Sequence, residues 1–309
     1  MPITEGIYYI KDYIARKFIM QTRNPIVAGQ FYPQKYNVCI GEIEECIHKK
    51  TLPAEMPKPI VAGIVPHAGW VFSGPLAAMV FNAIKKQNEN VDCFIIFGAA
   101  HSYYNDIPAV YDKGVWNSPI GQIEIDEELA EKVLKNKNAV SDYNAHKYEH
   151  SIEVQIPFIQ HLFPFAKILP ILTPAEVTAI DLGKSIGNII AASDKKIVCI
   201  GSTDLTHYGP RYGFEPIGEG TEALRWSSQV NDKEFIDCAL RLNGKEILAT
   251  AEKNFNACGA GAAAATVEAA KKQNRTQGQL LAQTTSNEIM RMRMNETSED
   301  SVGYAAMVF

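Results

Sequence analysis

The chain has 309 residues, 46% of them hydrophobic, which is enough to bury a substantial core and too much for a disordered polymer. Its formal net charge is −5 and no long basic run occurs, so the electrostatic footprint of a nucleic-acid binder or of a protein drawn to anionic membrane is missing. No uninterrupted apolar stretch reaches the roughly 18 residues of a membrane span, and partners in solution are expected.

In chain order, residues 1 to 22 form an N-terminal extension. Ile3, Ile7, Ile10, Ile14 and Phe18 recur at helical spacing, while Glu5, Lys11, Asp12, Arg16 and Lys17 interrupt them. That pattern fits an amphipathic helix and neither a secretory signal nor a spanning segment. The remainder, residues 23 to 309, reads as a single α/β domain with a central, mostly parallel or mixed sheet flanked by helices, because Ile- and Val-rich runs alternate with helical patterns. KPIVAGIVPH (58–67) is a buried strand. Ser73, Gly74 and Pro75 then start a helix with Leu76, Met79, Val80 and Ala83 on its apolar stripe. VDCFIIFGAAH (91–101), AKILPILT (166–173) and KKIVCIGSTD (195–204) are too apolar for half-exposed strands and belong in the middle of a sheet. AVYDKGVWNSPIGQIEID makes a peripheral hairpin, DEELAEKVLKN a helix capped by Asp126, and HSIEVQIPFIQHLF a helix that stops at Pro164. Gly259, Ala260 and Gly261 open a helix over AAAATVEAAKKQ, and SVGYAAMVF closes the chain as a strand.

The six cysteines are scattered without a CxxC pair, a usage that suits a reducing compartment, and the expected location is cytoplasmic. Cys39, Cys46, Cys93, Cys199 and Cys238 lie where core packing explains them. Cys258 differs, because it sits in the Gly-rich turn NACGAGA at a helix start, where a helix amino terminus favours the thiolate.

Chemically capable residues gather just past the carboxyl ends of apolar strands. His67 follows IVAGIVP, His101 follows CFIIFGAA, and Asp204 and His207 follow IVCIGST. In open α/β sheets that edge is where ligands bind, so residues distant in sequence can converge there. A single histidine after a strand is commonly a satisfied loop residue, but several in equivalent positions mark a crevice. Asp204 and His207 are three apart and share a face if STDLTHYG turns helically; the carboxylate then orients the imidazole, or both point into the pocket. The alternative is a capping Asp204 and a surface His207. His146 and His150, in AHKYEHSIE, stay outside the ligand set on this reading, with Glu149 and Glu153 solvated, and His48 and His161 are surface residues. No GxxxxGK[ST], HExxH or strand-linked GxGxxG occurs, which weighs against nucleotide hydrolysis, zinc-helix proteolysis and hydride transfer.

The stretches NPIVAGQFYP, VPHAGWVFSG, IIFGAAHSYY, YEHSIEVQIPF, GSTDLTHYG, NACGAGA and SVGYAAMVF resemble, in order, those of the Memo family, whose prokaryotic members are also called AmmeMemoRadiSam system protein B. The fold implied is similar to that of the LigB-type class III extradiol dioxygenases. By that resemblance His67 and His101 occupy the two histidine ligand positions of a non-heme metal site, and Cys258 stands where the dioxygenases use a glutamate. His207 matches their catalytic histidine and Asp204 lines the same pocket. The cofactor implied is a divalent or redox metal ion, iron first, with copper or zinc as alternatives. A thiolate in place of a carboxylate is softer and alters redox behaviour, so ring cleavage does not simply carry over. The activity expected is that of a metal-dependent oxidoreductase. The alternatives are a non-enzymatic peptide- or metal-binding protein using the same cleft, and zinc hydrolysis. The expected partners are a small molecule or peptide and, through the family's name, radical SAM and AMMECR-type proteins of a shared pathway.

Overall fold

The structure is a computed structural model that describes residues 21–309, so the helix expected near the amino terminus lies almost wholly outside the described residues. The strands are β1 (Thr22–Arg23), β2 (Ala62–Val65), β3 (Cys93–Gly98), β4 (Ala109–Val110), β5 (Val115–Ser118), β6 (Gly121–Glu124) and β7 (Val140–Ser141) in the first half of the chain. The second half adds β8 (Lys167–Leu172), β9 (Ile197–Ser202), β10 (His207–Tyr208), β11 (Gln279–Thr285) and β12 (Ser301–Val308). The helices used below are α1 (Tyr36–His48), α2 (Trp70–Gln87), α3 (Glu127–Lys135), α4 (Ile156–Leu162), α5 (Val177–Ala191), α6 (Thr221–Trp226), α7 (Asp232–Leu240), α8 (Gly244–Asn254), α9 (Ala260–Lys272) and α10 (Ser286–Met294).

These elements make one α/β domain around a nine-stranded mixed sheet in the order β10-β12-β2-β9-β3-β8-β4-β7, with β11 on the other edge of β12. The middle of the sheet, β2, β9, β3 and β8, is parallel, and β12 and β4 join it antiparallel on its two sides. Every residue of β2, β3 and β9 is buried, as expected of strands covered on both faces and written as continuous apolar runs. Two glycines show what covers each face. A Cβ at Gly63 would strike Val80 of α2, and one at Gly201 would strike Thr266 of α9. Gly63 pairs with Ile200, next to Gly201, and side chains alternate along a strand, so α2 and α9 lie on opposite faces of the sheet. The architecture accords with a LigB-like fold. Hairpin β5–β6 stands apart with β1 in a small second sheet, and Asp126 caps α3 by accepting the Leu129 N–H at 3.1 Å.

Three local expectations are corrected. The helix expected to start at Ser73–Pro75 begins at Trp70, after Gly69. Proline inside a helix leaves the carbonyl four residues earlier without a donor. That carbonyl belongs to Val71, and Arg293 Nη1 donates to it at 2.7 Å, which makes the early start tolerable. The segment from His150 to Leu162 is not one helix: Glu153–Gln155 is a single 3-10 turn ahead of α4, because the Glu153 side chain is drawn towards the backbone at Ile26 and Val27. STDLTHYG does not turn helically either. The backbone of β12 competes for its polar groups, Leu205 donating to Gly303 O at 2.8 Å and Thr206 O accepting from Gly303 N at 3.0 Å, and the chain is pulled into β10. The closing strand forms as expected: β12 is buried along its whole length between β2 and β11.

Candidate metal centre

β2, β9 and β3 are neighbours and parallel, so their carboxyl ends open on one crevice. β2 delivers His67, β3 delivers His101 and β9 delivers Asp204. Cys258 arrives from the other direction, immediately before Gly259 at the amino terminus of α9. Gly259 is needed for that approach, because a Cβ there would lie 2.4 Å from the carbonyl of Ser202 at the end of β9.

The sulfur of Cys258 lies 3.2 Å from Nε2 of His67. One ligand atom each from His67, His101 and Cys258 falls within 4.8 Å of the others. The far nitrogen of both rings is taken up. Ser202 Oγ donates to the Ser151 carbonyl at 2.7 Å, which leaves its oxygen to accept from His67 Nδ1 at 3.1 Å and assigns the bare Nε2 to the crevice. His101 Nδ1 is 3.0 Å from Glu149 Oε1, which leaves its Nε2 for the same point. Two imidazoles oriented through their outer nitrogens and converging with a sulfur are a donor set that fits a transition-metal ion.

Burial, and then the neighbouring His101, push His67 well below the usual histidine range, so its ring is neutral. Burial pulls His101 in the same direction, but its contacts with Cys258 and Glu149 prevail and hold its proton up to about 10. The Cys258 thiol is raised by burial, against which the contact with His101 pulls it down. The thiolate expected from a helix amino terminus is therefore outweighed by desolvation until a cation arrives.

Asp204 stands two residues past the end of β9. It is buried, and its Oδ1 accepts the backbone N–H of His67 at 2.7 Å. Burial raises its carboxyl to about 7. His207 instead bonds through Nδ1 to the Leu205 carbonyl at 3.0 Å, packs edge-on against Tyr212 at 5.1 Å, and has its pKa lowered by burial. His101, His207, Tyr212, Phe214, Phe255 and Cys258 line a cavity of about 490 Å³.

Sequence reasoning missed Glu149 and His150. Glu149 is buried, not solvated, and His150 stacks on His101 with centroids 4.9 Å apart and planes 9° from parallel while meeting the edge of His67 at 5.4 Å. Glu153, also expected in solvent, is buried in an ion pair with Arg23 at 2.8 Å. Their signal was YEHSIE itself, two carboxylates four apart around a histidine, but nothing in its spacing said which strand end it would face. The five remaining cysteines are buried as expected.

A mixed α/β sheet whose carboxyl edge gathers two oriented imidazoles and a cysteine defines an α/β protein with a candidate metal-binding centre. The family described as Memo-like protein matches residues 23–308. A MEMO1 family protein of Methanococcoides burtonii is 36% identical over 290 residues, covering 93% of this chain and 99% of the relative. One from Thermococcus onnurineus is 36% identical over 296 residues with the same coverage. The chain belongs to the Memo family. Among the described residues no helix is long and apolar enough to cross a membrane.

Proposed function

We propose that the crevice holds a redox metal ion on His67, His101 and Cys258 and that the protein is a metal-dependent oxidoreductase of dioxygenase-like ancestry acting on a small molecule. The observation that carries this reading is the approach of Cys258 Sγ to His67 Nε2 at 3.2 Å, with a ligand atom of His101 within 4.8 Å of both. Iron suits the ancestry, and the sulfur donor brings copper and zinc into range. Bound there, such a metal supplies Lewis acidity and, as iron or copper, electron exchange with O₂ or another redox-active molecule.

The chain's own residues do the rest. His207 holds its Nδ1 proton on the Leu205 carbonyl, which leaves Nε2 as a base, and with its pKa lowered it is neutral at pH 7 and able to accept a proton from a bound substrate. Asp204 fixes the turn that presents His67. Tyr212, Phe214 and Phe255 give the cavity beside His207 an apolar wall against which a small molecule can pack.

Metal analysis and oxygen uptake on protein purified without oxygen test the proposal. About one equivalent of iron or copper is expected, lost in His67→Ala and Cys258→Ala. Wild-type protein free of metal and unaffected by His67→Ala would remove it. A second reading, a non-enzymatic binding protein, is favoured by the rim, where Phe255 is 66% exposed against Phe214 and offers apolar surface to a peptide. Calorimetry with tyrosine-phosphorylated peptides on wild-type and Cys258→Ala protein separates the two: binding without turnover supports the second.

A further inference from the structure

Next to the triad lies a second group of potential ligands, His101, Glu149 and His150, again with one atom each within 4.8 Å. Its hydrogen bonds argue against a second ion. Glu149 Oε1 accepts from the Ser151 N–H at 2.8 Å and faces His101 Nδ1 at 3.0 Å, while Oε2 accepts the backbone N–H of His101 at 3.1 Å. The carboxylate is thus already satisfied by three donors, and a cation there would have to displace the proton on His101 Nδ1.

The same bonds define another role. A carboxylate that receives both the main-chain N–H and the ring N–H of one histidine fixes that side chain about its Cα–Cβ and Cβ–Cγ bonds, and stacking on His150 fixes the plane of the ring. Glu149 is itself immobilised. Arg23 donates from Nη2 to the Glu149 carbonyl at 2.6 Å, from Nε to the His146 carbonyl at 3.0 Å and from Nη1 to the Glu153 carboxylate at 2.8 Å, clamping the loop at three points from inside the protein. Histidine ligands whose outer nitrogen meets a carboxylate are held in one tautomer and become stronger donors.

We propose that Glu149, locked in place by Arg23, is the positioning residue of the metal centre: it holds His101 as the Nδ1–H tautomer with Nε2 aimed at the point shared with His67 and Cys258. This rests on the metal-centre reading above, and it assigns one ion, not two, to the pair of ligand groups.

The experiment uses the full chain, with Co²⁺ as a spectroscopic probe and Zn²⁺ for NMR. Wild-type protein is expected to bind one equivalent of Co²⁺ with a sulfur-to-metal absorption band. Glu149→Gln, an isosteric change, is expected to weaken Co²⁺ binding about 10- to 100-fold and shift that band, with the metal-free protein still folding cooperatively at a somewhat lower urea midpoint, because one amide N–H then faces a buried donor. Equal affinity and an unchanged band in Glu149→Gln, or a second equivalent of Co²⁺ lost on that substitution, overturns the inference. Nitrogen-15 spectra of the histidine rings need no variant and decide the matter if Glu149→Gln does not fold: Zn²⁺-loaded wild type should carry the His101 proton on Nδ1, and Nδ1 bound to Zn²⁺ overturns the inference. If wild type binds neither metal, the metal-centre reading fails. A slowly exchanging His101 Nδ1–H in the metal-free protein then still supports the positioning by Glu149, and its absence refutes it.

Discussion

Asp204 grips His67 through the backbone: the carboxylate oxygen accepts the His67 N–H at 2.7 Å, and the adjoining Ala68 N–H contributes a second bond. The two residues follow β9 and β2, which lie side by side, so the end of one strand fixes the turn after the other. Asp204→Asn keeps an oxygen in place and should leave the fold intact. Asp204→Ala leaves two buried N–H groups without an acceptor and is expected to cost about 1–3 kcal/mol, with reduced metal retention. Urea unfolding and metal content measured on both variants check this. Equal stability of Asp204→Ala and wild type would show that the grip contributes nothing.

Glu153 is the most heavily used carboxylate of the amino-terminal half. Its oxygens accept from Arg23 at 2.8 Å, from the backbone of Ile26 and Val27 at 2.9 Å each, and from Tyr32 Oη at 3.0 Å. Breaking a buried pair strands the other charge, so Glu153→Ala should destabilise the protein by about 3–5 kcal/mol, and Glu153→Gln, which still accepts, by less. Denaturant titration separates the two; a loss below about 1 kcal/mol in Glu153→Ala would show that Arg23 finds water instead.

How far the sequence could be read depended on what fixes each feature. Buried parallel strands announce themselves as continuous apolar runs, so the strands ending at His67, His101 and Asp204 and the glycine turn at Cys258 were legible, and sheet order then brought them together. Three things had long-range causes. Trp70 could begin a helix because Arg293, far along the chain, takes the Val71 carbonyl. Thr206 and His207 became strand because β12 competes for their backbone. Glu149 entered the site because Arg23 anchors its loop from 126 positions away. Periodicity carries none of these, since each depends on a partner that local pattern cannot name.

Gly261 and Gly41 both sit in helices and should respond in opposite directions to alanine. A Cβ at Gly261 would lie 2.0 Å from the Pro174 carbonyl and 2.4 Å from that of Thr173, so the start of α9 must move away and carry Cys258 with it. Gly261→Ala is expected to lose about 1–3 kcal/mol and to weaken metal binding. At Gly41, in α1, nothing lies within 4 Å of the added methyl. There Gly41→Ala should gain about 0.4–1 kcal/mol by restricting the unfolded chain, with metal binding unchanged. Thermal melts and Co²⁺ titration of the two variants provide the comparison, and a shift in the same direction for both would refute the steric account.

Asp232 makes stability depend on pH. It is buried behind β10, and its Oδ1 accepts the Thr206 N–H at 2.9 Å. Gly303 leaves just enough room for it, since a Cβ there would fall 2.0 Å from Oδ2. Burial raises its carboxyl from the ordinary 3.8 to about 7, against the opposing hydrogen bonds of Thr206 and Gln283. Between those two values the folded chain keeps a proton that the unfolded chain has lost. The stability this group contributes is therefore complete below about pH 4, falls as pH rises, and is gone above about pH 7, a change of roughly 4 kcal/mol. Asp232→Asn stays neutral and can still accept from Thr206, so it should escape that loss. Urea unfolding of both proteins from pH 5 to pH 8 should show the variant gaining on wild type as pH rises and levelling off above pH 7. A constant difference across the range would mean that Asp232 does not titrate there, and that Thr206 and His207 are held by an already charged carboxylate.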